Sequence, residues 1–219
     1  MIMKSPAVFA AVPFAACAAV APDPVLGALP ADAAQAVVVR ATAAGRADAA
    51  WQAWERARSG WRAVGDPVAC VVGRGGVVDA AHKREGDGGT PAGAWPLRRA
   101  FGAAAELATG LQYVATTADD HWVDDPQAPQ YNQWVVGAPG VSAERLQRAD
   151  GQYDVAAVLE YNTDPVVPVK GSAIFLHVWG GPGQPTAGCV AAAAADVRAL
   201  LGWLDRARRP VCVVLPAGD

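Results

Sequence analysis

The sequence predicts a mostly β, α+β domain with one main helix. Short runs rich in Val, Trp and Tyr recur along the chain, separated by Gly, Pro, Asp and Ser, the pattern of strands and their turns. Only residues 190–206, dense in Ala and Leu, read as a long helix, with 191–206 its clearest part. A composition of 53% apolar and 18% charged residues places the chain among globular proteins rather than disordered ones. Its 219 residues suit a single domain, expected over 35–219, behind a short leader.

The elements follow in order. Residues 35–40, with Val37-Val38-Val39, form the first strand. Residues 49–58 have good helical propensity, yet Trp51, Ala53 and the alternation into Trp61 also fit strands. Gly65-Asp66-Pro67 turns into a strand at 68–72, and Val77-Val78 starts another. Residues 111–116 and 134–136 are short strands around a polar loop. Alternation makes 154–161 and 173–178 core strands, and 211–215 closes the sheet.

The first residues read differently. Met1 to Lys4 supplies a positive start and 6–16 is almost wholly small and apolar, so 1–21 is expected to be an export signal. Phe14-Ala15-Ala16-Cys17 is similar to a bacterial lipobox, which would make Cys17 the lipidated first residue of the mature protein. Cleavage without lipidation, after Ala18 or Ala21, is the other reading. Residues 22–34, rich in Ala and Pro, read as a linker. Export would place the domain in the periplasm or cell envelope, with the membrane reached only through such an anchor. Away from cytosolic reductants, Cys70 and Cys212 could pair, or stand as two buried thiols.

Several function classes are excluded. A net charge of −3 without a long basic run lacks the footprint of nucleic-acid binding. Three His and four Cys show no CxxC pair or HExxH spacing, so no metal is expected. The glycines at 73–76 and 86–89 lack the Lys-Ser/Thr ending of a P-loop, and no cofactor is expected.

The chemistry concentrates near the C-terminus. An apolar strand ends on His177, a Gly/Pro-rich loop follows, and the chain reaches Cys189 just before the expected helix. A thiolate is the reactive form of cysteine, and an imidazole or a helix N-terminus lowers the thiol's pKa. A buried Cys and a strand-end His that never meet would give the same pattern.

A resemblance favours the catalytic reading. Thr186-Ala187-Gly188-Cys189, preceded by the strand-end His177, is similar to the Ser/Thr-His-Gly-Cys element of the YkuD-type L,D-transpeptidases. Upstream, the run from Lys83 through Gly86, Thr90-Pro91-Ala92-Gly93 to Leu97 resembles that family's Lys…Gly…Thr-Pro-x-Gly element. Two positions depart: the family's His before Gly-Cys is Ala187, and its Asn or Arg two residues after Cys is Ala191. The resemblance implies a β-sandwich or barrel, with 50–58 and 61–64 as a hairpin turning at Ser59-Gly60. It implies peptidoglycan stem peptides as substrate, Cys189 as nucleophile and His177 as base, and a thioester intermediate. Backbone N–H groups of Gly188 and Cys189 are the expected oxyanion donors. A monomer is expected.

Tyr161, Asn162, Trp179 and His82 are the weaker substrate-side candidates, each with a packing or solvent-loop alternative. His121 lies in an acidic loop that reads as a solvated turn. Two rivals use the same residues: a hydrolase of murein peptides on this fold, and a cell-wall-binding protein whose Ala187 and Ala191 mark lost chemistry.

Overall fold

β-Branched and aromatic residues, alternating along short segments, set the strands. The computed structural model describes residues 21–218; Cys17 and residues 1–20 of the leader lie outside the described residues. Along the chain run β1 (Gln35–Ala41), β2 (Asp48–Ala57), β3 (Gly60–Val71), β4 (Val77–Val78), β5 (Thr90–Pro91), β6 (Gly93–Gly102) and β7 (Gln112–Ala115). They continue as β8 (Asp120–Val123), β9 (Trp134–Val136), β10 (Ala143–Arg145), β11 (Ala156–Leu159), β12 (Phe175–Val178) and β13 (Val190–Ala192). Helix α1 (Ala194–Trp203) and β14 (Val211–Leu215) complete the set.

The order β11-β12-β13-β3-β2-β1-β14-β6 closes on itself where β6 pairs with β11, making a barrel. β14 and β7 pair with successive parts of β6. Closure removes the exposed edges that an open sheet would leave. Inside, Val37, Val39, Trp51, Leu176 and Val190 pack with Val197, Leu200 and Leu201 of α1. A second core lies outside the wall, where Phe101, Tyr153, Phe175 and Cys189 meet Trp122 of the small sheet β10-β8-β9. Cys189 therefore sits between the barrel and this sheet.

The mostly β architecture agrees with expectation, as does the hairpin expected over 50–64: the segment at 49–58 is strand β2, paired with β3 from Ala57↔Gly60 onward. Three local readings change. Gly65-Asp66-Pro67 is an irregularity within β3 rather than a turn between strands, and the Gln52 amide donates to the Val64 and Gly65 carbonyls across it. The segment read as a linker packs on the barrel: Asp23 caps a 3-10 turn at Pro24–Ala28, and Leu26, Leu29 and Ala33 cover Val38, Trp54 and Val213. The helix begins at Ala194, not at 190 or 191, because Val190–Ala192 pairs with β12 and β3. Tertiary pairing overrides the helix propensity of an Ala-rich run.

Cys70 and Cys212 are free, buried thiols that face the barrel interior, the second of their two readings. Burial pushes Cys212 up to about 12, and burial and then Cys212 push Cys70 up. Both are inert packing groups in this state.

Gln35 ties the last turn of α1 to β1. Its amide donates to the Trp203 carbonyl at 2.7 Å and accepts from the Asp205 amide at 2.8 Å, and the residue is buried. Gln35→Ala leaves two partners without a bond and is expected to cost about 2–3 kcal/mol. A urea titration would show this as a lower midpoint with unchanged slope.

Candidate active site

Alternation along β12 places Phe175 on the outer aromatic core and Leu176 in the barrel. His177 falls on the same face as Phe175. The parallel register pairs Leu176 with Val190 and His177 with Ala191, so Cys189 arrives one step before β13, diagonal to His177 on that outer face. Thr186 shapes the approach. Its backbone N–H donates to the Val72 carbonyl at 3.1 Å, and its hydroxyl donates to the Cys189 carbonyl at 2.7 Å. The same hydroxyl accepts from the Gly188 amide at 3.1 Å.

The upstream motif arrives from 99 residues away to the same point. The Thr90 hydroxyl donates to the Cys189 carbonyl at 3.4 Å and accepts from the Gly73 amide at 2.8 Å. Backbone is so close here that a Cβ on Gly73 would lie 2.0 Å from the Gly88 carbonyl oxygen. Gly188, with φ of +154°, would bring a Cβ to 3.0 Å from the Gly89 oxygen.

The Gly188 amide is therefore occupied by Thr186.

The thiol itself is sequestered. Its S–H donates to the Ala173 carbonyl at 3.2 Å, and the sulfur accepts from the Phe175 amide at 3.3 Å. Burial, then the negative charge of Glu144, pushes it up to about 12, against the Phe175 amide, Lys83 and Arg148. His177 is equally covered. Its Nδ1 lies 2.8 Å from the Val178 carbonyl oxygen, and the Tyr153 ring meets it edge-on at 5.1 Å. Burial pulls its pKa down to about 4, so the imidazole is neutral at pH 7.

No hydrogen bond joins His177 to Cys189 among the described residues, and the residues following Cys189 form a strand rather than a helix. Neither device expected to lower the thiol pKa operates in this resting geometry.

The unliganded protein should accordingly react slowly with thiol reagents. At pH 7 a thiol with pKa about 12 is about one part in 10⁵ thiolate. Peptide-resolved alkylation of Cys189 by iodoacetamide should climb about tenfold per pH unit from pH 6 to 9. An inflection near neutrality would contradict this.

Beside the sulfur lies a cavity of about 160 Å³, whose lining includes Cys189, Ala187, Lys83, Glu85, Asp124 and Glu144. Lys83 is buried, and its ammonium donates to Asp87 Oδ1 and to the Arg84 carbonyl, each at 2.7 Å. Burial raises the Asp87 carboxyl, but bonds from Lys83 and the Arg84 and Gly89 amides outweigh it and hold it below the usual range. Glu85 accepts from Tyr131 and from the Ser172 hydroxyl. This is a buried thiol beside a small polar chamber.

The profile of the YkuD family, L,D-transpeptidase catalytic domain, matches residues 37–213. The chain belongs to this family. No curated protein and no solved structure matches it. The family acts on peptidoglycan stem peptides.

The L,D-transpeptidase match locates the two departures in space. Ala187, where the family has His, is exposed and lines the chamber. Ala191, where the family has Asn or Arg, is buried between Val71 and His177.

Other expected site residues lie elsewhere. Tyr161 is a core residue: its hydroxyl donates to the Lys170 carbonyl at 2.6 Å, and its ring meets Trp95 edge-on. Asn162 clasps the loop after it, bonding Val167 in both directions and the Gly171 carbonyl. Trp179 is half-buried, donates its amide to the Ala192 carbonyl, and does not line the chamber. His82 is exposed beside Asp79, and His121 turns back to the Asp119 carbonyl. Their residue types suit binding, but each is used by its own loop or core.

The residues that sequence reasoning missed are Asn132, Tyr153 and Glu144. Asn132 Oδ1 accepts from the Trp122 indole at 2.8 Å and from the Ala173 amide at 3.0 Å. Its amide donates to the Tyr161 and Asn162 carbonyls. It thus pins the residue whose carbonyl holds the Cys189 thiol. No motif marks it.

Proposed function

We propose that this domain is a peptidoglycan L,D-transpeptidase that works through a Cys189 thioester with His177 as general base. The observation that carries this reading is Cys189 at the wall of a polar chamber in a chain of this family. On stem binding the thiol leaves the Ala173 carbonyl and gives its proton to His177, which is neutral and so able to accept one. The thiolate attacks the carbonyl of the peptide bond between an L-centre and a D-residue. The oxyanion is met by the Cys189 amide, and the departing amine takes the proton from His177. A second stem's amine then displaces the thioester and forms the cross-link. An export signal, with or without lipidation at Cys17, would bring the domain to this substrate.

The test is product mass spectrometry with tetrapeptide muropeptides. A dimer formed with loss of D-Ala is the expected result. Loss of D-Ala without a dimer would make the enzyme a hydrolase, and unchanged substrate would fit a wall-binding protein.

A further inference from the structure

The lining of the chamber beside Cys189 is unevenly exposed. Arg74, Gly86 and Ala187 reach solvent, while Lys83, Glu85, Asp124, Glu144 and Cys189 are buried or half-buried. Arg74 is thus the one charged residue at the mouth. Its place is fixed at both ends. The Arg74 backbone N–H donates to the Thr186 carbonyl at 2.9 Å, where Gly73 bridges to Thr186, so the residue starts beside the loop that leads to Cys189. Its side chain then lies across Gly88, where a Cβ would come 2.7 Å from Cγ and 2.9 Å from the guanidinium carbon. Gly88, with φ of +73°, takes the turn and leaves this path clear.

The two cations of the lining are differently committed. Lys83 is tied to Asp87 at 2.7 Å. Among the described residues the Arg74 guanidinium bonds only the Gly86 carbonyl, at 3.1 Å, which leaves the rest of its donor fork for a ligand. That fork matches a carboxylate, with two parallel N–H bonds to its two oxygens. Glu85, Asp124 and Glu144 repel a second anion from the deeper lining, so a ligand carboxylate is held at the mouth. Ala187, with only a methyl group where the family has an imidazole, leaves that mouth open.

In the reading above, the bond that Cys189 opens is followed by a terminal D-residue. The carboxylate of that residue lies three bonds along the chain, about 3–4 Å beyond the attacked carbon. Resting on that thioester reading, we propose that Arg74 binds the terminal carboxylate of the donor stem and selects stems that end one residue after the opened bond. A stem with a further residue, or with a carboxamide at that end, keeps the bond but carries no charge at that place.

The test follows thioester formation on Cys189 by intact-protein mass spectrometry with two donors. One is a tetrapeptide stem ending in D-Ala, and the other is the same stem ending in D-Ala carboxamide. Wild type should favour the free acid by about 10- to 100-fold in kcat/KM for acylation, the range of a charged hydrogen-bonded pair. Arg74→Gln should bring this ratio close to one by slowing the acid. Arg74→Lys keeps the charge without the fork and should keep part of the preference.

No preference in wild type, or a full preference in Arg74→Gln, would overturn the assignment. Comparing the donors within each variant cancels a general loss of stability, and if Arg74→Gln does not fold, the wild-type and Arg74→Lys ratios decide. No thioester from either donor in wild type would instead defeat the function proposed above, so the two failures are distinguished.

Discussion

Cys189→Ala is expected to remove cross-linking by at least about 10⁴-fold, because it deletes the thiol on which the proposed thioester forms. The fold should survive. The sulfur makes two backbone contacts, to Ala173 and Phe175, and its replacement leaves only a small void in the outer core. The measurement is initial rate of dimer formation alongside a thermal melt. Residual activity near wild type in a folded variant would exclude Cys189 as the nucleophile. The same variant should also fail to release D-Ala from the donor stem, since both proposed products follow from one thioester.

Asn132→Ala is expected to be the most damaging substitution away from the nucleophile, at about 3–5 kcal/mol. It leaves the Trp122 indole and the Ala173 amide without acceptors in a buried site, each worth about 1–3 kcal/mol. Asn132 also has φ of 56°, which Asn tolerates better than Ala. Its loss loosens Ala173, whose carbonyl orients the thiol. Denaturant unfolding would report the stability, and alkylation of Cys189 below the midpoint should be faster than in wild type. A melt like that of wild type would show that the hub carries little energy.

The strands read from short apolar, β-branched runs, such as 35–40, 173–178 and 211–215, reappear as β1, β12 and β14 within a few residues, because that signal is local. β13 does not, since Val190, Ala191 and Ala192 are strand residues only through distant pairing with β12 and β3. β6 is hidden by Pro96 and by the polar pair Arg98-Arg99, although Val211 and Leu159 flank it in register.

At the site, Cys189, His177 and the Thr90 motif are visible as residue types in sequence. Their burial is not, because it depends on distant partners: Trp122 of the small sheet over Cys189, Tyr153 against His177, and Gly73 against Thr90. Thus the expectation of a thiol activated by a helix N-terminus gives way to one held protonated by backbone and Glu144. Tyr161 and Asn162 sit near the motif in sequence but turn into the core and into their own loop. Glu144, on the short strand β10, has no local pattern that marks it.

The most direct measurement is intact-protein mass spectrometry, followed by peptide mapping, after brief mixing of the wild-type protein with a tetrapeptide stem. The account predicts a tripeptidyl adduct on Cys189, formed with release of D-Ala and absent from Cys189→Ala. An adduct on another residue, or none at Cys189 during turnover or without it, would contradict the thioester.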